Sequence, residues 1–476
     1  MKLAFIYPKF GHAENQPNIK EVTENYGVFP PLTLLYVAAI AKKQGHDCIL
    51  IDGNALNLTK EQLLEKINQF KPDMLLFTIT TYMFHDTIDW IKYLKNKTSL
   101  PIAVGGLHMS HYPKETFTYK EIDYGFIGEA DKSLPIFLDA FEKNKTLKDV
   151  PGIIFRKNGK VKMTKSLDVT FDVDALPYPD RSMIPNEKYY SFISKKKNFT
   201  GIITSFGCPF SCIFCEQHKP VYRHRSAKNV GDEIEECIKK YNIKEIEVFD
   251  PIFTLKKKRV IELCREIIKR KLKVDLVVRT RADLVDEELL QWMAKAGVKR
   301  IYYGIESGSE EILKNIKKHT SKEAIMKAIN LTKKHGIAAF GYFMIGCPGE
   351  TEETIKETIR FAKSLNLDYA QFSKLSTLPG TELYDLLKKE LGNDYWRKYI
   401  LDKSKAMILP RYNCRLSEEE IQNWVKKAYK SFYFRPSQMI KTLKNTSSPS
   451  EFRRYIKAGI NMLLFKDRQE SKQQIK

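Results

Sequence analysis

The sequence predicts an α/β protein: an N-terminal doubly wound, Rossmann-like parallel-sheet domain, then a partial (β/α)6 TIM-like barrel and a helical C-terminal tail. Three observations carry this expectation. Short apolar strands alternate with amphipathic helices twice along the chain, and a stretch without periodicity separates the two runs. The second run holds six strand–helix units, which suits an open or partial barrel. The chain has 476 residues and 43% hydrophobic content, enough for two or three cores and too apolar for disorder.

In residues 1–146 the strands are expected at Leu3–Tyr7, Cys48–Ile51, Met74–Thr78, Ile102–Val104 and Tyr124–Ile127. Helical patterns lie between them at Leu32–Lys43, Lys60–Phe70, Thr87–Lys95 and Lys132–Phe141. A doubly wound sheet binds ligands at the carboxyl ends of its strands. Those ends carry Asp52-Gly53, Gly105-Gly106 and Gly128-Glu129. Glycine there lets backbone approach a bulky ligand, and it is equally what tight turns use. Residues 147–195 read as a linker, punctuated by Pro151-Gly152 and Leu176-Pro177-Tyr178-Pro179, with a small hairpin around Asn158-Gly159.

In residues 196–420 the rhythm resumes, with strands expected at Ile202–Ser205, Ile246–Phe249, Val274–Arg279, Ile301–Tyr303, Phe340–Ile345 and Tyr369–Phe372. Chemistry in such a barrel belongs at the carboxyl ends of the strands. Residues 421–476 are helical, aromatic and basic, with thirteen Lys and Arg against three Asp and Glu, nearly half of the chain's +22. In the tail, Phe452, Tyr455, Ile456, Gly459, Ile460, Leu463 and Leu464 recur at helical spacing, flanked by Arg453, Arg454, Lys457 and Lys466. Such a stripe fits an anionic membrane surface or a helix docked on the barrel with its charges in water. The overall charge favours anionic partners or reflects a Lys-rich proteome. Met1-Lys2 runs straight into the first strand and no stretch reaches the roughly 18 apolar residues of a membrane span, so the expected location is the reduced cytoplasm, with peripheral contact to the inner membrane face as the tail's option.

Three of the eight cysteines fall within eight positions, in Gly207-Cys208-Pro209-Phe210-Ser211-Cys212-Ile213-Phe214-Cys215. Such spacing points to metal or cluster before disulfides. Three thiolates can hold three irons of a 4Fe-4S cluster and leave the fourth open to a substrate or cofactor. An electron-transfer cluster wants a fourth cysteine, for which Cys237 and Cys264 are the nearest; a zinc site is completed by His218.

A C-x3-C-x2-C loop after the first barrel strand resembles the signature of the radical S-adenosylmethionine superfamily. The resemblance implies that the open iron chelates the amino and carboxylate groups of S-adenosylmethionine. One-electron transfer to the sulfonium then releases a 5′-deoxyadenosyl radical, which abstracts a substrate hydrogen, while the protein supplies position and excludes water. It assigns Phe214 to the adenine. Phe249-Asp250-Pro251-Ile252-Phe253 resembles the family's Asp-Asp-Asn-Phe without its second Asp and its Asn. Arg279-Thr280-Arg281 ends the third strand; Gly304-Ile305-Glu306-Ser307 matches the family's Gly-Ile-Glu-Ser; and Gly346-Cys347-Pro348-Gly349-Glu350-Thr351 matches the stretch beside the adenine. Leu378-Pro379-Gly380-Thr381 closes the sixth. Asp250, Arg281, Glu306, Ser307, Gly346 and Pro348 are thus expected at S-adenosylmethionine. The plainer readings are a helix N-terminal acid for Glu306, a surface ion pair for Arg281 and a small buried hydrophobe for Cys347.

The N-terminal run is similar to cobalamin-binding domains of one branch of that superfamily, through Pro30-Pro31-Leu32-Thr33-Leu34-Leu35, Gly105-Gly106-Leu107-His108 and Gly128-Glu129-Ala130. The branch includes anaerobic magnesium-protoporphyrin ester cyclase, hopanoid-modifying enzymes and cobalamin-dependent methylases. Pro31, Leu32, Thr78, Gly105, Gly106, Gly128 and Glu129 are the expected cobalamin positions. None of the nine histidines follows an Asp at two residues, so the Asp-x-His-x-x-Gly motif is missing and base-off cobalamin without that histidine ligand is expected. His46, His108 and His111 are expected in turns or at the surface. Transfer-RNA methylthiotransferases need three further cysteines in this domain, which has Cys48 alone.

The expected activity is cobalamin-dependent methyl transfer to an unactivated carbon of a lipid-like or other apolar small molecule, fed by a flavodoxin or ferredoxin and its reductase. The alternatives are radical cyclisation, rearrangement or carbon–carbon coupling without methyl transfer, then a cobalamin or redox sensor, then RNA modification, for which no RNA-binding module is visible and nucleic acid is not an expected partner.

Overall fold

The computed structural model describes residues 1–10, 27–165, 172–194, 196–217, 219–404 and 411–446, together with 453, 455 and 456. Strands follow in the order β1 (Lys2–Tyr7), β2 (Gly27–Val28), β3 (Asp47–Asp52), β4 (Met74–Thr78), β5 (Ile102–Gly105), β6 (Tyr124–Phe126), β7 (Ile153–Lys157) and β8 (Lys160–Met163). Next come β9 (Tyr190–Ser191), which pairs with β2, and then β10 (Phe199–Ile202), β11 (Ser205–Cys208), β12 (Lys219–His224), β13 (Glu245–Val248), β14 (Asp275–Thr280), β15 (Val298–Glu306), β16 (Ala338–Ile345) and β17 (Tyr369–Lys374).

The first sheet has the order β3-β1-β4-β5-β6-β7-β8. Its first five strands are parallel. Leu3, Ala4, Phe5 and Ile6 are fully buried, as a parallel strand covered on both faces requires. The order reverses at β1, which leaves a crevice outside the carboxyl ends of β1 and β4. The helix Lys60–Phe70 opens on a capping box between Thr59 and Gln62. The helix expected from Thr87 starts three residues earlier, at Phe84, because apolar Phe84 and Ile88 both face the core.

The stretch read as a linker is partly sheet. Asn158 (φ 51°) and Gly159 (φ 75°) form the positive-φ turn that a tight hairpin needs, and β7 pairs antiparallel with β6. The hairpin therefore extends the N-terminal sheet by two strands.

The second sheet, β10-β13-β14-β15-β16-β17, is parallel throughout, the expected six-stranded partial barrel. Its first strand differs from expectation. Ile202–Ser205 is not one strand: the barrel strand ends at Ile202, and Ser205–Cys208 belongs to a separate antiparallel hairpin with β12. The chain breaks there because Asp250 takes the amides of Thr204 (2.6 Å) and Ser205 (2.9 Å), which removes them from the sheet ladder.

The two domains share packing. Tyr384, Leu387, Trp396, Tyr399 and Ile400 from the helices after the barrel enter the N-terminal core, and Phe29 meets Phe199 and Phe249 edge-on. His85 bonds the carbonyl of Tyr399 (2.6 Å) and Tyr119 donates to that of Ile400 (2.6 Å). The helix Glu418–Tyr433, expected to begin the appended tail, packs Ile421, Trp424, Val425, Ala428 and Phe432 into the barrel's outer core. Most of the apolar stripe beyond it lies outside the described residues; of that stripe Tyr455 meets the Tyr369 hydroxyl at 3.2 Å and Ile456 is exposed. No helix of the described residues is long and apolar enough to cross a membrane.

Candidate iron–sulfur and cofactor site

The three cysteines sit on the β11–β12 hairpin at the mouth of the barrel. Gly207 takes φ 79° where the hairpin register shifts, turning Cys208 toward the loop. Asp250 fastens the base of the hairpin through four contacts, adding the hydroxyls of Thr204 (2.5 Å) and Ser205 (2.7 Å) to their amides. Its oxygens are thus committed to placing the hairpin. The far end of the loop is held by backbone: the Ile213 amide donates to Ile316 O (3.2 Å), and the Leu383 amide to Ile213 O (2.8 Å). Phe214 packs against the small apolar cluster of Ile213, Ile312, Ile316, Cys347, Leu375 and Leu383, in which this loop meets the Gly346–Thr351 stretch through Cys347.

Burial pushes the Cys215 thiol up to about 11, with neighbouring Cys212 and Cys208 adding to the rise. Burial also raises Cys212, against the cations Lys318 and Arg281. Three thiols on one short loop suit a metal cluster, since a coordinated thiol is deprotonated outright whatever its free pKa. The Gln217 amide donates to Cys215 Sγ (3.4 Å). Among the described residues no three His, Cys, Asp or Glu converge as ligands of a single ion would; thiolates that each take a separate iron have no need to. His218 lies outside the described residues. Cys237 and Cys264 are buried in the outer core with thiols pushed up to about 12 by burial, away from this loop. Cys347 is fully buried, as its plain reading had it.

Around the hairpin, Arg281 stacks on Phe210 (4.0 Å to the ring centre), forks onto Asp283 (2.9 and 2.8 Å) and donates to His319 O (3.0 Å). Its Nη1 is buried without a partner. Glu306 ends β15 in the left-handed region (φ 68°) and pairs with Lys318 at 2.9 Å. A Cβ at Gly304 would lie 2.4 Å from Glu306 Oε1 and 2.8 Å from Lys318 Nζ, so glycine makes room for that buried pair. Ser307 is turned inward, bonded to Thr358 Oγ1 (2.9 Å) and the Ser309 amide (3.1 Å). Gly346 (φ 95°) and Cys347 donate their amides to Glu350, whose other oxygen is buried without a partner and whose carboxyl burial lifts to about 7. Pro348 O accepts from Asn315 (3.0 Å). Arg281 Nη1, on a side chain whose charge reaches Cys212, and Glu350 Oε1 lack partners among the described residues, and a polar cofactor would satisfy such atoms. Arg281 and Glu306 act electrostatically on Cys212, Phe214 sits on the loop itself, and Pro348 reaches it through Asn315 and the Ile316 carbonyl; Asp250 braces the base of the hairpin, whereas Gly346 lies against Arg411 and Ser307 against Thr358.

The N-terminal domain meets this hairpin directly. Glu129, at the end of β6, accepts a bidentate ion pair from Arg223 of β12 (2.8 and 3.0 Å). Pro31 and Leu32 open the helix Leu32–Lys43, and Leu32 touches the position of a Gly201 Cβ at 3.4 Å. Gly106 (φ 103°) is required by backbone, because its Cβ would sit 2.6 Å from Ile79 O and 2.7 Å from Thr78 Oγ1. Above Gly105 there is room, with Phe126 Cβ at 3.8 Å as its neighbour, and Gly128 turns with φ 83°. Open glycine-ended strands of this kind fit a bulky planar cofactor. His108 corrects its expectation: it is fully buried, held by Thr81 (3.1 Å) and Thr116 (3.0 Å), with burial pushing it down to about 3. His46 is likewise buried, at the N-terminal amine (3.2 Å).

Lys318 and Arg223 were not legible as site residues. Lys318 sits in a Lys-rich loop and Arg223 on the hairpin strand β12 among other basic residues, and only tertiary packing covers them.

Half-buried thiols on a barrel-mouth hairpin, joined to a glycine-ended parallel sheet, fit a two-cofactor iron–sulfur enzyme. Family models agree: that of the Radical SAM superfamily matches residues 202–362 and that of the B12 binding domain residues 22–138. The chain is 34% identical over 452 residues to an uncharacterized methyltransferase of Pyrococcus horikoshii, covering 93% of this chain and 95% of that protein. It is 31% identical to the anaerobic magnesium-protoporphyrin IX monomethyl ester cyclase of Rubrivivax gelatinosus, covering 87% and 72%. Two solved folds are similar: TsrM of Kitasatospora setae with cobalamin and 4Fe-4S cluster bound (TM-score 0.66, 19% identity, 82% and 75% covered) and OxsB with aqua-cobalamin and S-adenosylmethionine bound (TM-score 0.69, 19% identity, 97% and 71% covered). The chain belongs to the radical S-adenosylmethionine superfamily, in the branch with a B12-binding domain. It is an enzyme whose cofactors are a 4Fe-4S cluster, S-adenosylmethionine and cobalamin.

Proposed function

We propose that the enzyme transfers a methyl group to an unactivated carbon of a small molecule. The observation that carries this is the Arg223–Glu129 bracket, which ties the cluster hairpin to the open glycine-ended strands of the cobalamin domain. When bound, the cluster and S-adenosylmethionine supply one-electron radical chemistry and cobalamin supplies methyl transfer. In this reading Cys208, Cys212 and Cys215 hold the cluster. Phe214, Arg281, Glu306, Gly346 and Pro348 receive S-adenosylmethionine, with Asp250 and Ser307 positioning their loops. Pro31, Leu32, Thr78, Gly105, Gly106, Gly128 and Glu129 frame cobalamin. Lys318 holds Glu306 in place and offsets charge at the cysteines. Electrons come from flavodoxin or ferredoxin with its reductase. A peripheral membrane contact and a lipid-like substrate rest on the basic tail alone.

A second reading, radical cyclisation or oxidation without methyl transfer, is favoured by the likeness to the cyclase of Rubrivivax gelatinosus. Turnover with S-adenosylmethionine bearing a deuterated methyl group separates the two. Label in the product supports methyl transfer; a modified product without label replaces it with the second reading.

A further inference from the structure

The inner face of the barrel sheet sets charged and polar side chains beside a small buried cluster of Val277, Tyr302 and Phe340. Arg279 on β14 has Tyr302 of β15 as its register partner, and Tyr342 of β16 has Gln371 of β17. These side chains point away from the outer core, and at the centre of the sheet Arg279 keeps 34% of its side chain accessible. Among the described residues it makes a single hydrogen bond, from Nη2 to Glu247, and its Nε has no partner. Its guanidinium lies over Phe249 (4.6 Å to the ring centre) and Tyr302 (5.6 Å), while Tyr302 and Tyr342 stack at 5.6 Å with 25° between planes. Glu247 is almost wholly buried and anchors Arg279 from behind. A guanidinium held by a carboxylate through Nη2, flanked by aromatic faces, a third accessible and with no other hydrogen bond among the described residues, offers its remaining donors to an oxyanion.

We propose that the barrel lumen binds a polar substrate through a carboxylate or phosphoryl oxyanion on Arg279, its carbon skeleton lying on Tyr342, rather than a lipid-like molecule. The proposal deepens the methyl-transfer reading by naming the substrate class. It is tested by binding alone, so a failure of methyl transfer and a failure of this site are told apart. An apolar occupant would leave the Arg279 donors unsatisfied, which costs affinity.

The probes are phenylacetate, phenyl phosphate, benzyl alcohol and octanol, titrated into the full-length, cluster-loaded protein and followed by saturation-transfer NMR. The two oxyanions should bind at least about tenfold tighter than the two alcohols, and the tighter of the two identifies the oxyanion. Arg279→Gln should erase the preference. Because that change leaves Glu247 buried and unpaired, the isosteric pair R279Q/E247Q is made as well and should erase it too, with cluster content unchanged. E247Q alone should strengthen oxyanion binding. Equal binding of all four probes, a preference that survives R279Q/E247Q, or displacement of the oxyanions by S-adenosylmethionine would overturn the proposal; the last would give Arg279 to the cofactor.

Discussion

The two faces of the barrel sheet are built from the same six strands and obey different rules. Outward, Ile246, Leu276, Val278, Ile301, Tyr303, Phe343 and Phe372 are buried against the helices. Inward, the neighbouring positions are Glu245, Glu247, Arg279, Arg300, Tyr302, Tyr342 and Gln371. The period-two alternation of a strand lets one sequence satisfy both demands. The outer face carries stability through apolar burial. The inner face spends some of it, keeping charges buried in pairs such as Arg300–Glu245 (3.7 Å) and leaving Gln371 Oε1 and Arg279 Nε without partners.

The sharpest way to break this comparison is to truncate both faces. Ile301→Ala should destabilise by roughly 2–5 kcal/mol, because it opens a cavity in packed core, as read by urea denaturation. Tyr342→Phe, one strand position from outer-core Phe343 but on the inner face, should shift stability by less than about 0.5 kcal/mol and, because the ring remains, leave binding of the oxyanion probes unchanged. Comparable losses for the two would mean that the inner face is core as well.

The N-terminal domain sharpens the same contrast with a smaller effect. His108 is buried and fully bonded, and its folded pKa of about 3 lies below that of an unfolded histidine. Below about pH 6.5 the unfolded chain binds a proton that the folded one refuses. Stability from this group is therefore complete above pH 6.5 and falls by about 1.4 kcal/mol per pH unit on the way toward pH 3. Wild type should lose about that much more than His108→Gln between pH 6.5 and 5.5, compared by thermal unfolding. Parallel losses in the two proteins would show that His108 titrates normally.

What was legible in the sequence follows the range of the interaction. The cysteine spacing, the strand alternation and the Asn158-Gly159 turn are local, and each appears in the structure. The break after Ile202 was not legible: Ile202-Ile203-Thr204-Ser205 has strand propensity, and what removes it is Asp250, forty-six residues away. Glu306 could be singled out by its motif, but neither its left-handed backbone nor Lys318 could, because a buried lysine looks like a surface one until packing covers it. The hairpin at Asn158-Gly159 was visible as a turn, while its place at the sheet edge depended on β6. The fate of His108 depended on Thr81 and Thr116 converging on it from two loops.

The central claim is that Cys208, Cys212 and Cys215 hold a 4Fe-4S cluster with one iron open to S-adenosylmethionine. It is tested most directly by EPR of the anaerobically reconstituted, reduced protein with and without S-adenosylmethionine, beside the variant with all three cysteines changed to Ala. The account predicts one cluster per chain in wild type, a signal that changes when S-adenosylmethionine is added, and no cluster in the variant. Zinc in place of iron, a signal indifferent to S-adenosylmethionine, or a cluster that survives the triple substitution would contradict it.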